Sequence, residues 1–94
     1  MNKRNLEERL INFAVMIVEI ISTMPDGKAA KQLSRQFLRS GTSPALNYGE
    51  AQNGASQRDF IHKIKIVLKE LKESNIYLKI IYRTKLFVGE EKLT

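Results

Sequence analysis

The chain has 94 residues, enough for one domain, and it contains no cysteine, which excludes a disulfide framework, a thiolate nucleophile and a zinc-thiolate site. Its formal net charge is +6, and residues 56–94 contribute +4 of that excess. A basic balance of this kind favours polyanionic partners such as RNA or DNA, and the absence of cysteine fits the reducing cytoplasm in which we expect the protein.

The first predicted helix spans about residues 5–24. Apolar residues recur there at steps of three and four, and further apolar side chains leave little of its surface polar. We therefore expect it to lie at the centre of its own bundle or to be partly covered by another subunit. Glutamates interrupt the apolar run, which is shorter than the roughly 20 residues that span a bilayer, so neither a signal peptide nor a membrane segment is predicted.

The second predicted helix spans about residues 26–52, with Asp26 as a candidate cap. Its stretch "SGTSPALNYGEAQNG" contains Ser43 followed by Pro44, which is typical of a helix start, so we expect a broken or kinked helix near residues 41–44 rather than a catalytic loop. Gly41 and Gly49 also permit close helix contact. Basic residues at steps of three and four share another face of this helix, namely Lys28, Lys31, Arg35 and Arg39.

The third predicted helix spans about residues 57–87 and follows Ser56, an N-cap candidate with Asp59 three residues later. Asn75 falls in the stripe that we expect to face inward, where it needs hydrogen-bond partners. The apolar members of that stripe are Phe60, Ile61, Ile64, Val67, Leu68, Leu71, Leu78, Ile81 and Tyr82.

A separate stripe of the third helix is basic. At about 100° per residue one side collects Arg58, His62, Lys65, Lys69, Lys72, Lys79 and Arg83. The acidic residues Asp59, Glu70 and Glu73 lie on a different flank, together with Ile66, Tyr77 and Ile80, for which we expect a cover from another helix or subunit.

Residues 89–94 suggest the start of a further helix, with Gly89 as the residue that ends the third one. No period-two alternation typical of strands is present, so the predicted fold class is all-α. Five residues cannot hold a helix alone, because short isolated helices are marginal in water.

No pattern predicts an enzyme, a cofactor or a metal site. His62 is the only histidine, and no ligand spacing or orienting acid accompanies it. Asn47 and Glu50 lie three residues apart, a spacing that fits a polar site but more often cross-links helices. The basic stripe of the third helix carries no aromatic residue, so phosphate contacts rather than base stacking are expected. Basic faces that only keep a protein-binding scaffold soluble are the alternative.

Two blocks, "QFLRSGTSPALNYGEA" and "SQRDFIHKIKIVLKELKESNIYLKII", closely resemble the bacterial four-helix bundle family that includes proteins encoded in intervening sequences of 23S ribosomal RNA genes. The resemblance extends over about residues 6–88. Two departures stand out, since Pro44 replaces a usual aliphatic residue and Leu78 replaces a usual tryptophan. The matching positions are Gln36, Arg39, Ser40, Gly41, Thr42, Ser43, Asn47, Glu50, Ala51, Ser56, Asp59, Phe60, Lys63, Lys69, Glu70, Glu73, Ser74, Tyr77 and Leu78.

The resemblance implies an antiparallel up-and-down four-helix bundle, commonly a ring-like homopentamer, with the fourth helix largely missing from this chain. It also implies a relation to accessory proteins of diversity-generating retroelements, which are basic bundles associated with nucleic acid and a reverse transcriptase. No catalytic activity is implied. We therefore expect a non-enzymatic homo-oligomer that binds RNA or DNA, or else a scaffold for a protein partner. The family-motif residues with an implied structural role are Ser43, Asn47, Glu50, Glu73 and Tyr77.

Overall fold

The computed structural model of the protein describes residues 3–53 and 56–85, and of Lys3 and Arg4 it describes the backbone alone. Within these ranges the chain forms three helices, α1 (Lys3–Ser22), α2 (Lys28–Gln52) and α3 (Gln57–Arg83), and no strand, which confirms the all-α class. In the described part no helix is both long and apolar enough to cross a bilayer. The helix start expected at residues 89–94 lies outside the described residues.

The helix ends follow local chemistry. Ser56 accepts a hydrogen bond from the Asp59 backbone N–H at 3.1 Å, which confirms the predicted N-cap of α3. The predicted capping by Asp26 is wrong, because Gly27 occupies the N-cap of α2 and no side chain caps this end. Gly27 has φ +142°, a region that L side chains rarely adopt, so glycine shapes the turn between α1 and α2.

The α2 helix runs without interruption from Lys28 to Gln52, with Pro44 inside it. The expected break near Gly41 is therefore wrong, while a kink at residues 41–44 stays a prediction. Proline removes one helical hydrogen bond and disfavours the preceding turn. Here the segment is held by packing, since Ser40, Gly41 and Pro44 are all buried between the neighbouring helices.

The α2 helix is the centre of the three, because it forms the main interfaces with α1 and with α3 whereas α1 and α3 contact each other little. We expected α1 either at the centre of the bundle or partly covered by another subunit, and among the three described helices the central position is wrong. All three helices nevertheless contribute to the core. One buried cluster joins Ile17 and Ile20 to Phe37 and Ile81. The second joins Leu10, Tyr48 and Val67.

Gly41 lets α1 approach α2 closely. A Cβ atom built at Gly41 would overlap Cδ1 of Ile17 and lie 3.0 Å from its Cγ2. The two helices run antiparallel, because Leu10 clusters with Tyr48 near one end and Ser34 Oγ donates to Met24 Sδ at 3.4 Å near the other. Among the residues that the structure describes, a Cβ at Gly49 would meet nothing within 4 Å, so the close contact expected there is not formed by them.

The predicted inward side of α3 is confirmed in part, because the core contains or contacts five of its members, namely Ile64, Val67, Leu71, Leu78 and Ile81. Among residues expected to face inward, Phe60, Ile61, Leu68 and Tyr82 are 39%, 46%, 56% and 44% exposed, and Asn75 is exposed as well. Among those expected on the flank, Tyr77 packs against the core. The residues that α3 buries are Val67, Glu70, Ser74 and Ile81. Two of these four are polar, so the interface of α3 with α2 combines apolar contacts with buried polar ones.

Candidate nucleic-acid interface

Arg39 of α2 forms ion pairs with both glutamates of α3, Glu70 and Glu73. Its Nη1 donates to Glu70 Oε2 at 2.5 Å and its Nη2 donates to Glu73 Oε1 at 2.9 Å. The pKa of Arg39 is raised above its ordinary value, mainly by the hydrogen bond to Glu73. Desolvation lowers this pKa, and the hydrogen bond and charge of Glu70 raise it. The Glu70 side chain is only 5% exposed, so this guanidinium supplies its compensating charge.

Two serines continue this contact toward the core. Ser74 Oγ donates to Ser40 Oγ at 3.0 Å, and Ser40 Oγ donates to the Phe37 carbonyl at 3.2 Å. Every buried side-chain nitrogen or oxygen in residues 3–53 and 56–85 has a hydrogen-bond partner. The interface between α2 and α3 is therefore polar and fully satisfied, which fixes the rotation of α3.

A second ion pair ties the other end of α2 to α3. Lys63 Nζ lies 2.6 Å from Glu50 Oε1, which makes Glu50 a link between helices. Asn47 plays a different part, because its amide donates within α2 to the Ser43 hydroxyl at 2.7 Å and the Ser43 carbonyl at 3.0 Å. The expected cross-link thus involves Glu50, and Asn47 stabilises the turn that contains Pro44.

With the two glutamates drawn toward Arg39, one side of α3 is left strongly basic. We call this side the α3 basic face. In the described part of the chain Lys69 alone among its members is near an acid, at 4.0 Å from Glu73 Oε2. The face consists of exposed residues, namely Arg58, Lys65, Lys69, Lys72, Lys79 and Arg83.

The basic residues of α2 do not join this face. Lys31 and Arg35 are exposed and lie eleven and seven positions before Thr42, on a side of α2 that borders α1. Lys28 is exposed as well, and none of the three forms an ion pair with a described residue. Arg39 differs from them, because the two glutamates neutralise its charge. The predicted basic residues therefore form two separate patches.

Apolar groups interrupt the α3 basic face. Leu68 and Ile76 are 56% and 57% exposed, and they line a shallow surface depression together with Lys65, Lys69 and Lys72. His62 is exposed on the same helix. Over the described residues no group of three acidic, histidine or cysteine side chains is placed to hold a metal ion. The arrangement can attract anions and can pack against apolar groups.

Comparison with protein families places this geometry in context. The sequence model of the 23S rRNA-intervening sequence protein family matches residues 4–93. The crystal structure of a protein of unknown function from the S23 ribosomal protein family of Bacteroides thetaiotaomicron VPI-5482 superposes with a TM-score of 0.82 at 33% sequence identity. The match covers 98% of this chain and 82% of that one. No curated protein matches the chain. The resemblance predicted from the two sequence blocks is confirmed.

Proposed function

The chain belongs to the 23S rRNA-intervening sequence protein family, and we propose that it binds the phosphate backbone of RNA or DNA through the α3 basic face, without catalysing a reaction. One observation carries the proposal. Arg39 engages Glu70 and Glu73, and among the described members of the α3 basic face only Lys69 has an acid within 4.0 Å. The positive charge of this face is thus left for an external anion.

Binding at this face would come from many weak contacts. Lysine and arginine side chains that neutralise phosphates release condensed counterions, and the affinity then falls steeply as salt rises. No aromatic residue belongs to the α3 basic face, so it offers phosphate contacts and no stacking platform for bases. We therefore propose binding with little dependence on nucleotide sequence.

Assembly of several copies would strengthen these contacts. We propose a homo-oligomer, with the cytoplasmic homopentamer that the resemblance implies as its form, in which the α3 basic face is repeated on each copy. We also propose that a fourth helix completes the bundle. The exposed apolar residues Ile61 and Tyr82 of α3 support this, because a helix packed beside them would cover them.

A salt series with a charge variant tests the proposal. Replacing Lys65, Lys69 and Lys72 together by glutamate should abolish a gel shift that wild-type protein gives with structured RNA or duplex DNA at about 50 mM salt. Far-UV circular dichroism and the oligomeric mass of the variant control for folding and assembly. Wild-type protein that shifts neither nucleic acid, or a variant that binds as wild type, excludes the α3 basic face as the site.

A protein-binding scaffold is the second candidate, and the exposure of Leu68 and Ile76 favours it. These aliphatic groups add nothing to phosphate binding, whereas they suit a helix of a protein partner such as a reverse transcriptase. A pull-down from nuclease-treated lysate separates the two candidates. Capture that survives nuclease and is lost on changing both Leu68 and Ile76 to serine supports the scaffold, and capture lost with nuclease supports the nucleic acid.

A further inference from the structure

An apolar groove lies between α1 and α2. Val15, Val18 and Leu46 are 50%, 48% and 65% exposed in it, and no residue of α3 contributes. The groove is lined by Ile11, Ala14, Val15, Val18, Glu19, Thr42, Ala45 and Leu46. An apolar surface of this kind, contiguous over two helices, is typical of an interface.

The two edges of the groove carry opposite charge. On the α1 edge the acidic side chains of Glu8 and Glu19 are exposed. On the α2 edge Lys31 and Arg35 precede Leu38 and Thr42 along the same side of the helix. Neither Glu19 nor Arg35 forms an ion pair with a residue in the described ranges. An apolar strip with an acidic edge and a basic edge is complementary to itself.

We propose that the groove is an interface between copies of this chain, with the α1 edge of one copy packed on the α2 edge of another. The inference rests on the proposed homo-oligomer and names the surface that forms it. With α1 of the second copy antiparallel to α2, as α1 is within one chain, the proposed contact pairs Glu19 with Arg35. The reverse arrangement, with α1 on α1 and α2 on α2, would bring like charges together.

The oligomeric mass in the absence of nucleic acid tests this interface. Sedimentation velocity over a concentration series should give an associated wild-type protein. Val15→Glu buries a charge in the proposed contact and should raise the dissociation constant at least about 100-fold. Ile76→Glu is the matched control, because Ile76 is similarly exposed but lies on α3. It should leave the mass unchanged, and circular dichroism should show the same helix content in both variants.

A charge exchange tests the orientation of the two copies. Glu19→Arg and Arg35→Glu should each weaken association, and the double variant should recover most of the loss because the pair is restored with reversed sign. A monomeric wild type, a Val15→Glu variant that associates like wild type, or a double variant no better than the single ones overturns the proposal. The triple glutamate variant of Lys65, Lys69 and Lys72 should lose the gel shift and keep the wild-type oligomeric mass, so a failed interface and failed nucleic-acid binding are distinguishable.

Discussion

Ser74 donates a hydrogen bond to Ser40 at 3.0 Å where α3 packs on α2, and these residues are only 1% and 0% exposed. Arg39 reaches Glu70 and Glu73 beside this bond. The polar contacts thus occupy the side of α3 that faces α2 and turn the acidic residues away from the lysines. One buried interface therefore determines both the rotation of α3 and the charge of its exposed surface.

Replacing Ser40 by alanine should destabilise the protein by about 1–2 kcal/mol, because the buried Ser74 hydroxyl loses its acceptor. Ser74→Ala should cost less, since Ser40 still donates to the Phe37 carbonyl. The double alanine variant should be no less stable than Ser40→Ala, because it leaves no hydroxyl unpaired. Urea denaturation followed by circular dichroism measures all three, and additive losses would contradict the paired arrangement.

Gly41→Ala should destabilise the protein by about 1–3 kcal/mol, although alanine is the better helix former. The added Cβ overlaps Cδ1 of Ile17, so α1 must move or Ile17 must change rotamer. Gly49→Ala is the matched control in the same helix. Its Cβ would meet nothing within 4 Å, and it should stabilise the protein by about 0.5–1 kcal/mol. Thermal melts compare the two.

Ile17→Val isolates the cause of the loss at Gly41, because valine lacks the Cδ1 atom that is overlapped. Alone it should cost about 0.5–1.5 kcal/mol, since Ile17 is fully buried. Combined with Gly41→Ala it should cost less than the sum of the two single changes. A strictly additive result would show that the close approach of α1 to α2 is absent in solution.

Arg39→Met should cost about 2 kcal/mol at neutral pH, because it leaves the buried Glu70 carboxylate without its cation. The raised pKa of Arg39 means that its pairing stabilises the fold at every pH below the ordinary arginine value and is lost only as pH rises through the raised one. Within the acid and neutral range Arg39 therefore stays charged.

Denaturant unfolding at neutral pH measures this loss of stability. Arg39→Met combined with Glu70→Gln is the control, since it removes both charges and should be more stable than Arg39→Met alone at neutral pH. A double variant no more stable than Arg39→Met would contradict the pairing of Arg39 with the buried Glu70 carboxylate.

The helix content of the protein could be predicted from its sequence, and the rotation of α3 only in part. Apolar spacing marks the helices, and Ser56 with Asp59 marks the start of α3. The same spacing assigns Ile61 and Leu68 to the inward side, although both are exposed. It also omits Glu70 and Ser74, which are buried where α3 contacts α2. A pattern built only on apolar residues does not distinguish the exposed apolar residues of α3 from the buried ones.

The candidate site was predictable in part for the same reason. The lysines of α3 share one face by spacing alone, and they are exposed as that spacing suggests. The role of Arg39 could not be read locally, because it depends on glutamates 31 and 34 residues away in the chain. Charge spacing grouped Arg39 with Lys31 and Arg35. In the structure its ion pairs with Glu70 and Glu73 neutralise its charge.

The slope of log affinity against log salt should be proportional to the number of lysines that contact phosphate. Each lysine of the α3 basic face changed to glutamine should reduce the slope of log affinity against log salt by about 0.9 on duplex DNA. Lys72→Gln tests this, because Lys72 is exposed and forms no ion pair within residues 3–53 and 56–85. Lys63→Gln is the matched control, since it removes the same charge from a lysine of α3 already bonded to Glu50. Filter binding over a salt series should show the smaller slope for Lys72→Gln and a wild-type slope for Lys63→Gln. Equal effects of the two substitutions would mean that net charge, and not the α3 basic face, governs binding.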